Sequence, residues 1–200
     1  MMRYGPGAAL VVVDMQNDFA DPRGSLHVVG ADAILPVVND QIALARASGA
    51  LVVYSQDWHP SRTPHFAPDG PWPVHCVADT WGAELCPGLD CPPGSLLIRK
   101  GTNGEDGYSA FTMRDPTTGA TVPTPLETLL QEAGVDAVAV VGLATDYCVR
   151  HTALDAVRLG HPTTVVTDGV AAVNVNPGDG ERAIDELRAA GVVLASSAAR

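Results

Sequence analysis

Three side chains of this 200-residue chain carry the groups of a nucleophilic catalyst. Asp14, Lys100 and Cys148 each come shortly after an apolar run of strand length. A thiolate is a strong nucleophile, a carboxylate can accept the thiol proton, and an ammonium group favours the thiolate over the thiol. Each residue alone is more often structural, as a turn aspartate, a solvated lysine or a buried cysteine. Together, at the ends of neighbouring strands, they predict a catalytic site with Cys148 as the nucleophile.

Four side chains that commonly ligate metals follow another apolar run. Asp57 and His59 are two residues apart, so their side chains point the same way in an extended segment. His65 and His75 come later in the same loop-rich stretch. Any one of these histidines alone is typical of a loop, but one carboxylate with two or three imidazoles suits a zinc, iron or manganese ion. The spacing therefore predicts a site for one divalent metal ion.

Short apolar runs alternate with amphipathic segments along the chain, which predicts an α/β fold. Strands are predicted at residues 8–13, 51–55, 96–99, 137–142, 163–167 and 192–195. Helices are predicted at residues 31–48, from about residue 124, and at residues 148–159 and 180–190. Continuously apolar strands separated by helices are typical of a parallel sheet covered on both faces. We therefore expect residues 1–200 to form one three-layer αβα domain around a six-stranded, mostly parallel sheet.

This topology explains how residues far apart in the sequence could meet. In open α/β sheets, ligands bind beyond the carboxyl ends of the parallel strands, where the loops gather. Cys148 is expected in the first turn of a helix, where free N–H groups and the helix dipole favour an anion. We expect that position and the nearby Lys100 to lower the pKa of the thiol. The same N–H groups could hold an oxyanion beside the nucleophile.

Composition excludes several classes of function. The net charge of −11 and the isoelectric point near 4.7 disfavour nucleic acid or an anionic membrane as partner. No apolar run approaches the roughly 18–20 residues of a membrane-spanning helix, and the first residues lack the pattern of a secretory signal. The four cysteines, Cys76, Cys86, Cys91 and Cys148, show no paired spacing and are expected to be free thiols. These features predict a cytoplasmic protein.

Five motifs, in order along the chain, resemble the nicotinamidases of the isochorismatase-like cysteine hydrolases. They are Asp14-Met15-Gln16-Asn17-Asp18-Phe19, Gln56-Asp57-Trp58-His59, Trp72-Pro73-Val74-His75-Cys76, Lys100-Gly101 and Gly142-Leu143-Ala144-Thr145-Asp146-Tyr147-Cys148-Val149. The likeness continues through Asp168-Gly169 and covers nearly the whole chain. It implies an isochorismatase-like fold and the hydrolysis of nicotinamide to nicotinic acid and ammonia through a thioester, a step in NAD salvage. The implied partner is a small molecule, and a homo-oligomer is compatible with the sequence.

The resemblance also implies roles for individual residues. Asp14, Lys100 and Cys148 match the catalytic triad of the family. The backbone N–H groups of Ala144 and Cys148 match its oxyanion hole, with a cis peptide bond expected between Leu143 and Ala144.

Metal ligands and pocket walls are implied in the same way. The residues that match the metal ligands are Asp57, His59 and His75, and His65 lies where some members add a further histidine. Phe19 and Trp72 match the aromatic walls that enclose the pyridine ring, and Tyr108 is expected to line the same pocket. The choice among zinc, iron and manganese stays open, as does activity on related amides such as pyrazinamide.

Three other functions compete with this interpretation. A hydrolase of carbamoyl or ureido compounds from the same superfamily is disfavoured because such members generally lack the metal ligands Asp57, His59 and His75. Vinyl-ether cleavage of the isochorismatase type does not require the thiol of Cys148. A non-catalytic metal- or ligand-binding module would leave the Asp14, Lys100 and Cys148 set without a purpose.

Overall fold

A computed structural model describes residues 4–197 of the chain. Its strands, in chain order, are β1 Ala8–Val13, β2 Leu51–Asp57, β3 Leu96–Lys100, β4 Thr112–Arg114, β5 Thr121–Pro123, β6 Ala137–Leu143, β7 Thr163–Ala171 and β8 Val193–Ala195. The helices are α1 Asn17–Ala20, α2 Ala31–Ala47, α3 Leu126–Glu132, α4 Arg150–Arg158 and α5 Asp179–Ala189. A short 3₁₀ turn spans Trp81–Ala83, and a π-helical turn spans Thr145–Val149.

Six of the strands form one parallel sheet in the order β3-β2-β1-β6-β7-β8. The predicted α/β fold with a six-stranded sheet is confirmed. The sheet is buried on both faces, and β1 shows why its sequence is continuously apolar. Its side chains alternate, so that Leu10 and Val12 pack with residues of α2 while Val11 and Val13 pack with residues of α3 and α4.

Two features of the structure differ from the predicted elements. β4 and β5 form a separate antiparallel hairpin, which was not predicted because its three-residue strands contain no apolar run. The predicted helix start at Cys148 is wrong, since the helical turn begins at Thr145. The N–H of Val149 donates to the carbonyl oxygen of Ala144, which closes a five-residue turn ahead of α4.

The strand register brings the chemically active residues to one edge of the sheet. Asp57 and Lys100, at the carboxyl ends of β2 and β3, are paired across the two strands. Val13, the last residue of β1, pairs with Gly142 near the end of β6. Because all these strands are parallel, the residues that end or follow them gather at the same edge.

Two further findings concern the whole described chain. Within residues 4–197, none of the helices is both long enough and apolar enough to span a bilayer. The four cysteines carry free thiols, as predicted.

Candidate active site

The three residues predicted as a catalytic set lie together in a buried cluster. The Nζ atom of Lys100 is 2.7 Å from Oδ2 of Asp14 and 3.6 Å from Sγ of Cys148. A carboxylate oxygen of Asp14 lies within 4.8 Å of the Cys148 sulfur. All three residues are buried, with Asp14 and Lys100 at 0% and 1% exposure. The amine therefore sits between the thiol and the carboxylate, with almost no solvent to screen the charges.

Ser55 holds the Asp14 carboxylate in place, and sequence reasoning missed it. Its hydroxyl donates a 2.6 Å hydrogen bond to Oδ1 of Asp14. Ser55 lies two residues before Asp57 on β2, so both side chains project from the same face of the strand. That spacing is the only signal in the sequence that could have linked Ser55 to the site. With Lys100 on one oxygen and Ser55 on the other, both oxygens of Asp14 have partners.

Burial dominates the electrostatics of the thiol. It raises the pKa of Cys148 well above its usual value, and the nearby Lys100 ammonium only partly opposes that effect. Lys100 thus acts on the thiol in the expected direction, but burial outweighs it, so the net pKa of Cys148 is raised and not lowered. Burial also raises the pKa of Asp14, with Lys100 again opposing it. Cys148 is thus a thiol at neutral pH, next to a carboxylate that is more basic than usual.

The lysine between these groups stays charged. Burial acts to lower the pKa of Lys100, but the carboxylates of Asp14 and Asp57 raise it well above the usual value. Asp57 contacts the Lys100 ammonium directly. Although burial acts against ionisation of Asp57, Lys100 and the neighbouring histidines lower the pKa of that carboxyl group. The cluster therefore contains one ammonium between two carboxylates.

Three histidines and Asp57 form a second cluster directly beside the first. One ring nitrogen from each of His59, His65 and His75 lies within 4.8 Å of the other two. Oδ2 of Asp57 is 3.9 Å from Nε2 of His59 and 3.9 Å from Nε2 of His75. The carboxylate and the imidazoles thus face a common centre, and this donor set is typical of zinc and similar divalent ions.

The hydrogen bonding of the rings fits a metal. Nδ1 of His75 lies 2.8 Å from the carbonyl oxygen of Pro73, and because a carbonyl can only accept, Nδ1 carries the proton and Nε2 the lone pair. Burial lowers the pKa of His59 to about 4 and also lowers that of His75, so both rings are neutral at neutral pH. Among the residues described, neither buried ring nitrogen of His59 has a hydrogen-bond partner. Burying an imidazole without hydrogen-bond partners costs folding free energy, and a metal ion bound to one of its nitrogens would offset that cost.

Contacts from Gln16 and Gly101 position Asp57 and His59 at and just after the end of β2. The side chain of Gln16 donates to the carbonyl oxygen of Asp57 at 2.7 Å and accepts from the Asp57 N–H at 2.8 Å. Gly101 has a φ of +78°, and a Cβ atom there would lie 2.4 Å from Nδ1 of the His59 ring. The glycine after Lys100 thus makes room for the His59 imidazole.

A pocket of mostly aromatic and apolar side chains opens onto both clusters. Its lining residues are Phe19, Leu26, Asp57, His65, Trp72, His75, Tyr108, Leu143, Ala144, Tyr147, Cys148 and Val173. The Phe19 ring lies 5.5 Å from that of His75, and the indole N–H of Trp72 donates to the Tyr108 hydroxyl at 3.0 Å. Sequence reasoning named Phe19, Trp72 and Tyr108 for this pocket, but it missed the apolar Leu26 and Val173 and the ring of Tyr147.

The turn that carries Cys148 lines the same pocket. The peptide bond between Leu143 and Ala144 is cis, as the resemblance implied. The Asp146 carboxylate accepts the backbone N–H groups of Val173 at 3.0 Å and Asn174 at 2.8 Å. Asp146 thereby ties the turn to the loop after β7, which supplies Val173 to the pocket wall.

Comparison with known proteins agrees with this geometry. A family model described as the isochorismatase domain matches residues 8–199. The chain belongs to the isochorismatase family.

Three relatives of this isochorismatase-family chain cover nearly its full length. A nicotinamidase from Acinetobacter baylyi is 41% identical over 98% of this chain and 95% of its own length. A pyrazinamidase of Pyrococcus horikoshii, solved in complex with zinc, has a TM-score of 0.84 and 40% identity over 96% of this chain and 99% of its own. The protein PnC1 of L. infantum, solved in complex with nicotinate, has a TM-score of 0.87 and 38% identity over 98% and 96% of the two chains.

Proposed function

We propose that this isochorismatase-family chain is a nicotinamidase, which hydrolyses nicotinamide to nicotinate and ammonia with Cys148 as nucleophile and one divalent metal ion. One observation carries the proposal. Asp57 contacts Lys100 of the thiol cluster through one carboxylate oxygen and faces the Nε2 atoms of His59 and His75 through the other. Asp57 thus links the proposed nucleophile to the proposed metal site. Two sites this close suit a small substrate that contacts the thiol at one end and the metal at the other.

The first step is a proton transfer from Cys148 to Asp14. Burial raises the pKa of both groups, so the thiol keeps its proton until substrate arrives and the carboxylate is a stronger base than usual. The Lys100 ammonium, 3.6 Å from the sulfur, stabilises the thiolate as it forms. The thiolate then attacks the amide carbon of the substrate.

The negative charge then moves to the former carbonyl oxygen of the substrate. We assign its stabilisation to the backbone N–H groups of Ala144 and Cys148, and each such donor is worth about 3 kcal/mol in other hydrolases. Asp14 returns its proton to the amide nitrogen, the C–N bond breaks, ammonia leaves, and the acyl group stays on Cys148 as a thioester. Asp14 then takes a proton from water, and the resulting hydroxide attacks the thioester carbon. The C–S bond breaks, Asp14 returns its proton to the Cys148 sulfur, and nicotinic acid leaves and loses its own proton to solvent as nicotinate.

The proposed metal ligands are Asp57, His59 and His75, with His65 as a fourth. A divalent ion held by them would supply a Lewis acid for the pyridine nitrogen of the substrate. Phe19 and Trp72 both line the pocket and would enclose that ring, with the indole of Trp72 hydrogen-bonded to Tyr108. A ring fixed in this way presents its carboxamide to the Cys148 sulfur. Holding a substrate and a catalytic group in reactive geometry accounts for much of the rate enhancement of such reactions.

The test is ammonia release from a panel of amides by purified protein of known metal content. Nicotinamide is expected to be hydrolysed far faster than N-carbamoyl or ureido compounds, and pyrazinamide tests how tightly the pocket selects its ring. Turnover of a carbamoyl compound in preference to nicotinamide would overturn the proposal. Absence of turnover with every amide would favour a binding module.

Three wider statements belong to the same proposal. Release of nicotinate from nicotinamide would place the enzyme in NAD salvage, and its free thiols suit a reducing compartment such as the cytoplasm. The acidic chain, with a net charge of −11, suits a small-molecule substrate better than nucleic acid. Assembly into a homo-oligomer stays a prediction.

A further inference from the structure

Asp106 contacts one of the proposed metal ligands from outside the metal centre. Its Oδ1 atom lies 2.6 Å from Nδ1 of His65. The His65 side chain is 3% exposed, whereas that of Asp106 is 39% exposed. The two residues are 41 positions apart, so only the folded chain brings them together.

The backbone around Asp106 is well fixed. Its N–H donates to the carbonyl oxygen of Arg114 at 2.8 Å, and Arg114 donates in return, which makes an antiparallel bridge beside the β4–β5 hairpin. The same Oδ1 atom accepts the N–H of Gly107 at 2.8 Å. The carboxylate is therefore held in one orientation by the hairpin and by its own backbone.

A fixed carboxylate at Nδ1 determines how His65 can act. An ionised carboxylate only accepts hydrogen bonds, so Nδ1 of His65 donates this one, and Nε2 is the ring nitrogen left to bind a metal ion. The ring also stacks on that of His59, with 4.9 Å between centroids and 24° between planes. A carboxylate that accepts a hydrogen bond from the far nitrogen of a metal-bound imidazole orients the ring and makes it a better ligand.

We propose that Asp106 is a positioning residue that makes His65 a ligand of the metal. This inference deepens the proposed function and rests on its metal site, but it does not depend on the identity of the substrate. The alternative is that His65 only forms part of the wall against His59. In that case its hydrogen bond to Asp106 would have no effect on metal binding.

Zinc affinity and the absorption spectrum of the cobalt-loaded protein test the proposal. The variants are Asp106→Ala, Asp106→Asn, His65→Ala, and the double variant with His65→Ala and Asp106→Ala. Glu105→Gln is the matched control, because it removes a carboxylate one residue away whose hydrogen bonds go to Asn103. Thermal unfolding of each variant checks that the fold is intact.

We expect Asp106→Ala to weaken zinc binding by about tenfold or more and to change the visible bands of bound cobalt. Asp106→Asn should lose less, because its amide oxygen can still accept the Nδ1 proton. The Glu105→Gln control should bind zinc like the wild type. In the His65→Ala background, removing Asp106 should have no further effect.

Two results would overturn the inference. One is zinc affinity and a cobalt spectrum that do not change in Asp106→Ala. The other is an equal loss from Asp106→Ala with and without His65, since Asp106 would then act by another route. Hydrolysis of nicotinamide is measured separately, so a protein whose metal binding follows this pattern without hydrolysing nicotinamide would refute the proposed function alone.

Discussion

At the scale of single residues, some side chains of the site could be predicted from the sequence and others could not. Asp14, Lys100 and Cys148 could be predicted because each follows an apolar strand and belongs to a recognisable motif. Ser55 and Asp106 could not, since neither belongs to one of the five recognisable motifs. Ser55 reaches Asp14 only through the pairing of β1 with β2, and Asp106 reaches His65 across 41 residues. Such contacts depend on register and loop geometry, which local patterns do not fix.

Replacing Ser55 by alanine tests whether Asp14 is the base. The Ser55 hydrogen bond acts to lower the pKa of Asp14, so its loss should raise that pKa further. Asp14 must be ionised to accept the thiol proton. The acid limb of the kcat/KM profile should therefore move to higher pH, so that activity is lost earlier as pH falls.

The matched control is Ser95→Ala, in the loop before β3, where the hydroxyl donates to the Pro92 carbonyl. It should leave the pH profile unchanged. An acid limb that stays in place in Ser55→Ala would mean that a group other than Asp14 accepts the proton.

At the scale of elements, the strands extend further than their apolar runs. β2 and β3 include Asp57 and Lys100, although the predicted strands ended two residues and one residue earlier. The two polar residues stay in the sheet because they pair with each other across the strands and form a buried ion pair. Sequence patterns locate the apolar part of a strand, but where the strand ends depends on the residues with which its polar end pairs in the fold.

The turn after β3 makes a prediction at this scale. Gly101→Ala should weaken zinc binding, because the new methyl group would lie 2.4 Å from the His59 ring and displace it. Gly104→Ala is the matched control, with a similar φ of +85° but no atom closer than 3.9 Å to the added carbon. Both substitutions strain the backbone at positive φ by about 1 kcal/mol.

The measurement is zinc affinity alongside the thermal midpoint of each variant. Both variants should lose stability through the positive φ, Gly101→Ala more because it also displaces the buried His59 ring, and only Gly101→Ala should lose zinc affinity, by about tenfold or more. Equal zinc affinity in the two variants would show that His59 is not a ligand.

At the scale of the whole molecule, the proposed metal ligands lie outside the apolar core. Two buried apolar clusters, one on each face of the sheet, hold the layers together, while the proposed metal ligands lie at the carboxyl edge. The α/β class and the edge where the site forms could be predicted from strand alternation alone. The β4–β5 hairpin could not, and it is the element beside which Asp106 is held.

Removal of metal should therefore abolish activity without unfolding the chain. We expect chelated protein to keep its far-ultraviolet circular dichroism and cooperative unfolding, with a lower Tm because the native state loses a ligand. Ammonia release from nicotinamide should disappear and return when zinc is added. Full activity after verified metal removal would contradict the role of the histidine cluster, and loss of the fold would show that the core depends on the metal site.

The most direct measurement is nicotinate release from nicotinamide by Cys148→Ala, compared with the wild type at equal metal content. Cys91→Ala is the control, since that partly buried thiol lies outside the pocket. Covalent catalysis predicts that Cys148→Ala loses turnover by a factor on the order of 10³ or more, while its unfolding and zinc affinity stay close to those of the wild type and Cys91→Ala stays active. Turnover by Cys148→Ala near the wild-type rate would contradict the account.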